Sequence, residues 1–145
     1  MARTYTIAAS VFINAFNPAE VGHAESQQLL AQFRAQAMPL IAPTLVLPEV
    51  AAAIRRGRAD ENLARRFATA LSRLPHLILV SLDQILAQQA GEIAAQYGLR
   101  GSDAVYTAVA LHFGSTLITL DREQLTRVAS ALTTRTPADV LAEGI

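Results

Sequence analysis

Four short runs constrain this chain most: "TYTIA" at residues 4 to 8, "PLIA" at 39 to 42, "HLILV" at 76 to 80 and "TLITL" at 116 to 120, with "ALTT" at 131 to 134 as a weaker fifth. Several are apolar throughout rather than alternating, as strands covered on both faces should be. Between them lie longer stretches in which apolar residues recur every three to four positions, the period of amphipathic helices. Strands interleaved with helices predict a three-layer α/β/α sandwich around a central, mainly parallel sheet of four to five strands. With 52% of 145 residues hydrophobic there is material for one core, so residues 1–145 read as a single domain.

The helices are marked by their ends. "NPAE" at 17 to 20 reads as Asn17 at the N-cap and Pro18 at the first helical position, with Leu29, Leu30 and Phe33 on the inner face that follows. From Asp83 to Tyr97, Leu86, Ala90, Ile93 and Tyr97 form one stripe that Gly98 closes. A helix is expected from about Leu47 despite Pro48, and "TPAD" at 136 to 139 opens a short last one. Ligands of such sheets collect beyond the carboxyl ends of the strands, which directs attention to the residues there.

Composition removes several chemistries. There is no cysteine, hence no disulfide, thiolate nucleophile or zinc knuckle, and the three histidines are scattered. All twelve basic residues are arginine, so Schiff bases and phosphate-loop lysines are excluded. Neither an apolar leader nor a run approaching about 20 apolar residues occurs, so a soluble, cytoplasmic protein with no membrane partner is expected. Net charge is zero, and no global field draws the chain toward nucleic acid.

Three acids stand at informative places. Asp121 directly follows "TLITL" and also begins "DREQ", where it caps a helix paired with Gln124; alone, the cap explains it. Asp103 falls in the first turn of a helix with Ser102 as its expected cap, where an acid complements the helix dipole. Glu49, among the apolar residues of "LVLPEVAAA", has no such excuse, because a carboxylate there is costly to bury unless a donor or cation meets it. Should the three converge, like charges about 4 Å apart repel by roughly 4 kcal/mol at an effective dielectric near 20, and a cation or shared proton is required. Oxygen-only ligands select Mg²⁺ or Mn²⁺, the ions of metal-dependent nucleases.

A basic cluster, Arg55, Arg56, Arg58, Arg65 and Arg66 in "IRRGRADENLARRF", offers planar forks suited to RNA phosphates. Without the aromatic interleaving of a single-strand platform, it reads more readily as a solvated helical face offset by Asp60 and Glu61.

These residues in this order resemble the PIN-domain family of small metal-dependent ribonucleases, particularly the toxins of VapBC-type toxin–antitoxin pairs. "GLRGSDAVYTAVALHFGSTLITLDREQL" at 98 to 125 looks like the family's third and fourth acidic motifs, and "LVLPEVAAAIRRG" like its second. The resemblance implies Mg²⁺- or Mn²⁺-assisted water attack on an RNA phosphodiester, a homodimer, and inhibition by a cognate antitoxin. It casts Asp103 as a direct metal ligand and Glu49 and Asp121 as holders of metal-bound water or orienters of the nucleophile. The first motif, a hydrophobic strand followed by Asp, a small residue and Ser or Thr, aligns "TIAASVF" with Ser10 at the hydroxyl and Ala8 at the family's first aspartate. Alanine supplies no oxygen and Ser10 only a neutral one, so weak metal binding and little or no RNA cleavage are expected.

Ala8 fits either a natural pseudo-nuclease or an aspartate replaced to silence a toxic product. A non-catalytic PIN-like module that binds RNA or a protein partner is the competing expectation. A receiver domain lacks its lysine here, and a phosphate-loop fold its glycine-rich motif.

Overall fold

A computed structural model describes residues 3–145. Five strands, β1 (Tyr5–Ile7), β2 (Leu40–Pro43), β3 (Leu77–Val80), β4 (Thr116–Ile118) and β5 (Thr134–Arg135), form one parallel sheet in the order β3-β2-β1-β4-β5. The helices are α1 (Ala9–Phe16), α2 (His23–Ala35), α3 (Val46–Arg58), α4 (Glu61–Ser72), α5 (Gln84–Tyr97), α6 (Gly101–Phe113), α7 (Arg122–Arg127) and α8 (Pro137–Glu143). Leu40 and Ala42 join a core with Phe12, Leu29, Phe33 and Val50, whereas Ile41 faces a second core with Ile93, Val105 and Val109. Burial on both faces is why β2 shows no alternation. The predicted three-layer sandwich and its central parallel sheet are therefore present, with five strands.

The strand order reverses at β1. From β1 the chain steps outward to β2 and β3, then returns to place β4 on the other side of β1 and β5 beyond it. The carboxyl ends of β1 and β4 thus flank a crevice, the usual ligand position in an open α/β sheet. Ile7 pairs with Ile118 in register, and Ala8 N–H donates to Ile118 O at 3.0 Å, so the segments leaving both strands start side by side.

Several expectations need correction. The helix expected at Asn17 does not begin there: α1 occupies Ala9–Phe16, Asn17 is its C-cap, and the next helix starts only at His23. α1 has no charged face to reveal a helical period, because Ala9, Val11, Phe12 and Asn14 are all buried. Asn17 nevertheless shapes the turn, its Oδ1 accepting from Ala19 N–H at 3.1 Å, and Asn14 Nδ2 pins the loop by donating to Val21 O at 2.9 Å. The fifth strand lies at Thr134–Arg135 rather than 131 to 134, because Ala131 and Leu132 both donate to Val128 O in the turn that ends α7. Arg100, not Ser102, is the N-cap of α6.

Other ends follow the local chemistry. Asp83 caps α5 by accepting from Leu86 N–H at 2.8 Å, and Gly98 ends it with φ 67°. Thr136 and Asp139 cap α8 reciprocally, with Pro137 in the first turn. Within the basic stretch Ala59 adopts φ 52°, α3 stops, and Asp60 caps α4. Among the described residues no helix is long and apolar enough to cross a membrane.

Candidate active site

The crevice between the ends of β1 and β4 is a cleft of about 210 Å³, and Ala8, Ser10, Glu49, Asp103, Tyr106 and Asp121 are among its walls. Ala8 directly follows β1 at the N-cap of α1, and its side chain makes no capping bond. Ser10 Oγ accepts from Leu120 N–H at 3.2 Å, tying the first turn of α1 to the segment leaving β4. Asp121 caps α7 by accepting from Gln124 N–H at 3.0 Å through Oδ1, which leaves Oδ2 toward the cleft. Asp103 lies in the first turn of α6 and Glu49 in that of α3. Four elements distant in sequence therefore bring the three acids and Ala8 to one place.

The acids meet different partners. Arg100 Nε donates to Asp103 Oδ2 at 3.1 Å and its Nη2 to Asp121 Oδ2 at 2.6 Å, so one guanidinium spans both carboxylates. Burial and the neighbouring charge of Asp121 push the Asp103 carboxyl above the ordinary range, and Arg100 opposes this. Glu49 is held by Tyr106, whose Oη donates to Glu49 Oε1 at 2.6 Å. Burial raises the Glu49 carboxyl, the Tyr106 hydrogen bond partly offsets it, and the charge of Asp103 raises it further. Burial and the Glu49 carboxylate push the Tyr106 phenol far up, so it stays a protonated donor.

Arg100, Tyr106 and Gln124 were not anticipated as site residues. Arg100 carries a local signal, since it stands three residues before Asp103 in "LRGSD" at a spacing that lets ion pairs meet on a helix. Tyr106 carries none, because Glu49 lies 57 residues away. The expected capping pair forms only in part, since Gln124 N–H donates to Asp121 but the Asp121 N–H goes to Thr119 Oγ1 at 3.1 Å rather than to the Gln124 side chain. Its Nε2 donates to Asp103 O at 2.9 Å and to Thr107 Oγ1 at 3.3 Å, fastening α7 to the start of α6.

Whether these residues suit a metal ion follows from their donors. Among the described residues no three of His, Cys, Asp and Glu gather closely enough to hold one ion. Asp103 and Asp121 do converge on a single positive group, and two carboxylate oxygens around one cation suit a hard divalent ion. Glu49 is turned to Tyr106, and Ala8 contributes no oxygen. Two carboxylates are a hard-oxygen donor set of the kind divalent ions take, with less charge than four would bring.

Arg55, Arg56 and Arg58 lie exposed in the last turn of α3 and do not line the cleft. Arg65 pairs with Glu61 at 2.5 Å, and Asp60 is occupied in capping α4. The Arg58 guanidinium stands 5.8 Å over the Phe16 ring. A larger groove of about 680 Å³ opens between α2 and α4 beside Leu30, Phe33, Met38, Phe67 and Leu74; it contains no carboxylate and cannot be a metal-centred reaction site.

Comparisons with known proteins agree with this architecture. A family model described as "PIN domain" matches residues 5–131. No curated protein sequence matches the chain. Among solved structures, VapC20 of Mycobacterium tuberculosis, described as a sarcin–ricin loop cleaving toxin, superposes with TM-score 0.71 at 18% identity over 89% of this chain and 96% of that one. A toxin–antitoxin complex from Klebsiella pneumoniae gives TM-score 0.65 at 20% identity, covering 94% of this chain and 98% of that one. VapBC2 of Rickettsia felis, bound to a DNA fragment from its promoter, gives TM-score 0.65 at 16% identity, covering 92% and 98%.

Proposed function

The chain belongs to the PIN-domain family, and on that footing we propose that it is the toxin of a VapBC-type toxin–antitoxin pair, a metal-dependent endoribonuclease of low or no activity because Ala8 stands where the first acidic ligand belongs. The observation that carries this reading is the meeting of Glu49, Asp103 and Asp121 with Ala8 in one cleft at the switch point of the sheet. Family and cleft argue for nuclease chemistry, and the missing oxygen at position 8 argues against strong metal binding.

In this reading Asp103 and Asp121 would hold a Mg²⁺ or Mn²⁺ ion, which when bound would supply a water of lowered pKa and compensate charge on the phosphodiester. Glu49, its Oε1 fixed by Tyr106 and its side chain among the walls of the cleft, would accept a proton from the attacking water. Burial raises its carboxyl above the ordinary range, which makes it a stronger base than a free carboxylate. Ser10 plays a supporting part by holding the start of α1 against the end of β4. Arg55, Arg56 and Arg58, exposed at the end of α3, contribute long-range attraction for the RNA backbone.

The partners in this proposal are an RNA substrate, a cognate antitoxin and a second copy of the chain, in the cytoplasm. The neighbouring toxin–antitoxin complexes favour the antitoxin, for which the apolar groove between α2 and α4 offers a seat. A second reading, a non-catalytic PIN-like module binding RNA or protein, is favoured by Ala8 itself. Cleavage of RNA by the Ala8→Asp variant in Mg²⁺ or Mn²⁺, abolished by EDTA, distinguishes the two; RNA binding that survives EDTA and is lost with Arg55, Arg56 and Arg58 supports the second.

A further inference from the structure

The backbones that carry Asp103 and Asp121 are held close together. Gln124 is 1% exposed and lies between them, its backbone N–H donating to Asp121 Oδ1 at 3.0 Å and its Nε2 to Asp103 O at 2.9 Å. The starts of α6 and α7, and with them the backbones that carry the two acids, are therefore fixed to each other. Water screens little of the interaction, because the two side chains are only 16% and 21% exposed. Glu49 adds a third negative charge to the cleft and Glu123 acts on Asp103 from α7. A cation between the two carboxylates relieves this repulsion while leaving both ionised.

Arg100 supplies that positive charge at the oxygens an ion would need. Its guanidinium takes Asp103 Oδ2 and Asp121 Oδ2 together. The backbone of Arg100 is anchored as the N-cap of α6, and its carbonyl accepts from Ala104 N–H at 3.0 Å. Its side chain, by contrast, is 70% exposed and can swing out without opening the core.

We propose that Arg100 is the resident counter-ion of the Asp103–Asp121 pair, holding the place of the divalent cation and competing with it for the same two carboxylate oxygens. The proposal rests on the metal-centred reading of the cleft. It makes Arg100 a positioning residue in the metal-free protein and a determinant of metal affinity. Ala8 moves the balance toward the guanidinium, since the ion has one carboxylate fewer with which to displace it.

Mn²⁺ binding to the full chain, followed by loss of the free-ion electron paramagnetic resonance signal, tests this in four proteins: the chain as it is, Arg100→Gln, Ala8→Asp, and the two changes combined. Arg100→Gln tightens Mn²⁺ binding by roughly fivefold or more in the Ala8→Asp background. In EDTA, Arg100→Gln lowers Tm, and adding Asp121→Asn, which keeps a capping residue, restores part of the loss. Mn²⁺ affinity of Ala8→Asp that is unchanged or weakened by Arg100→Gln overturns the counter-ion while leaving the metal site standing. Failure of both Ala8→Asp proteins to take up Mn²⁺ overturns the metal-centred reading, and the competition with it.

Discussion

Tyr106 Oη donates a 2.6 Å hydrogen bond to Glu49 Oε1, joining the buried face of α6 to the first turn of α3 across the floor of the acidic cleft. Tyr106 is 2% exposed, so the phenol donates this bond from within the core. Tyr106→Phe leaves the half-buried Glu49 carboxylate without its donor. It should cost about 1–3 kcal/mol of stability at neutral pH, measurable by urea unfolding. Because the bond favours the charged form, its loss should raise the Glu49 pKa further, and the deficit should shrink as the pH falls and Glu49 becomes neutral.

The raised carboxyls predict an unusual pH dependence. Glu49 and Asp103 titrate above their ordinary values of 4.5 and 3.8, so between those values and the raised ones the folded chain binds more protons than the unfolded chain. In metal-free buffer these two groups should make the protein more stable as pH falls into that window and less stable as pH rises through the folded pKa values. Glu49→Gln should remove its share of the slope. Thermal unfolding across mildly acidic pH, in EDTA, measures both curves.

Metal linkage should depend on residue 8. Mg²⁺ should raise the Tm of Ala8→Asp clearly and that of the parent little, because an ion that binds only the folded state stabilises it in proportion to its occupancy. Equal shifts in the two proteins would show that position 8 does not contribute to binding.

The basic end of α3 is testable through salt. If Arg55, Arg56 and Arg58 contact RNA phosphates, replacing each with Gln should reduce the slope of log affinity against log salt by roughly 0.7. An unchanged slope in the triple variant would assign these arginines to the solvated surface.

The parts of the fold legible in the sequence were those governed by neighbours in the chain. "PLIA" is apolar because both faces of the sheet are covered there, whereas "HLILV" forms the edge strand and leaves Ile78 51% exposed; Asp83, Gly98 and Thr136 mark helix ends through bonds to residues three or four positions away. α1 was hidden because Val11 and Phe12 bury it so thoroughly that no polar face marks its period, and Asn17, a good capping residue, in fact ends that helix. The acids Glu49, Asp103 and Asp121 could be suspected from their positions at the ends of elements. What meets them could not, since Tyr106 reaches Glu49 across 57 residues and Arg100 reaches Asp121 across 21. Such pairings follow from the reversal of strand order at β1, which no local pattern displays.

The account turns on position 8, and RNA cleavage by Ala8→Asp beside the parent chain tests it most directly. Incubation of both with RNA in Mg²⁺ or Mn²⁺, with EDTA controls, should give metal-dependent fragments from Ala8→Asp and few or none from the parent. No metal-dependent cleavage by Ala8→Asp on any RNA tested, or equal cleavage by the parent, would contradict it.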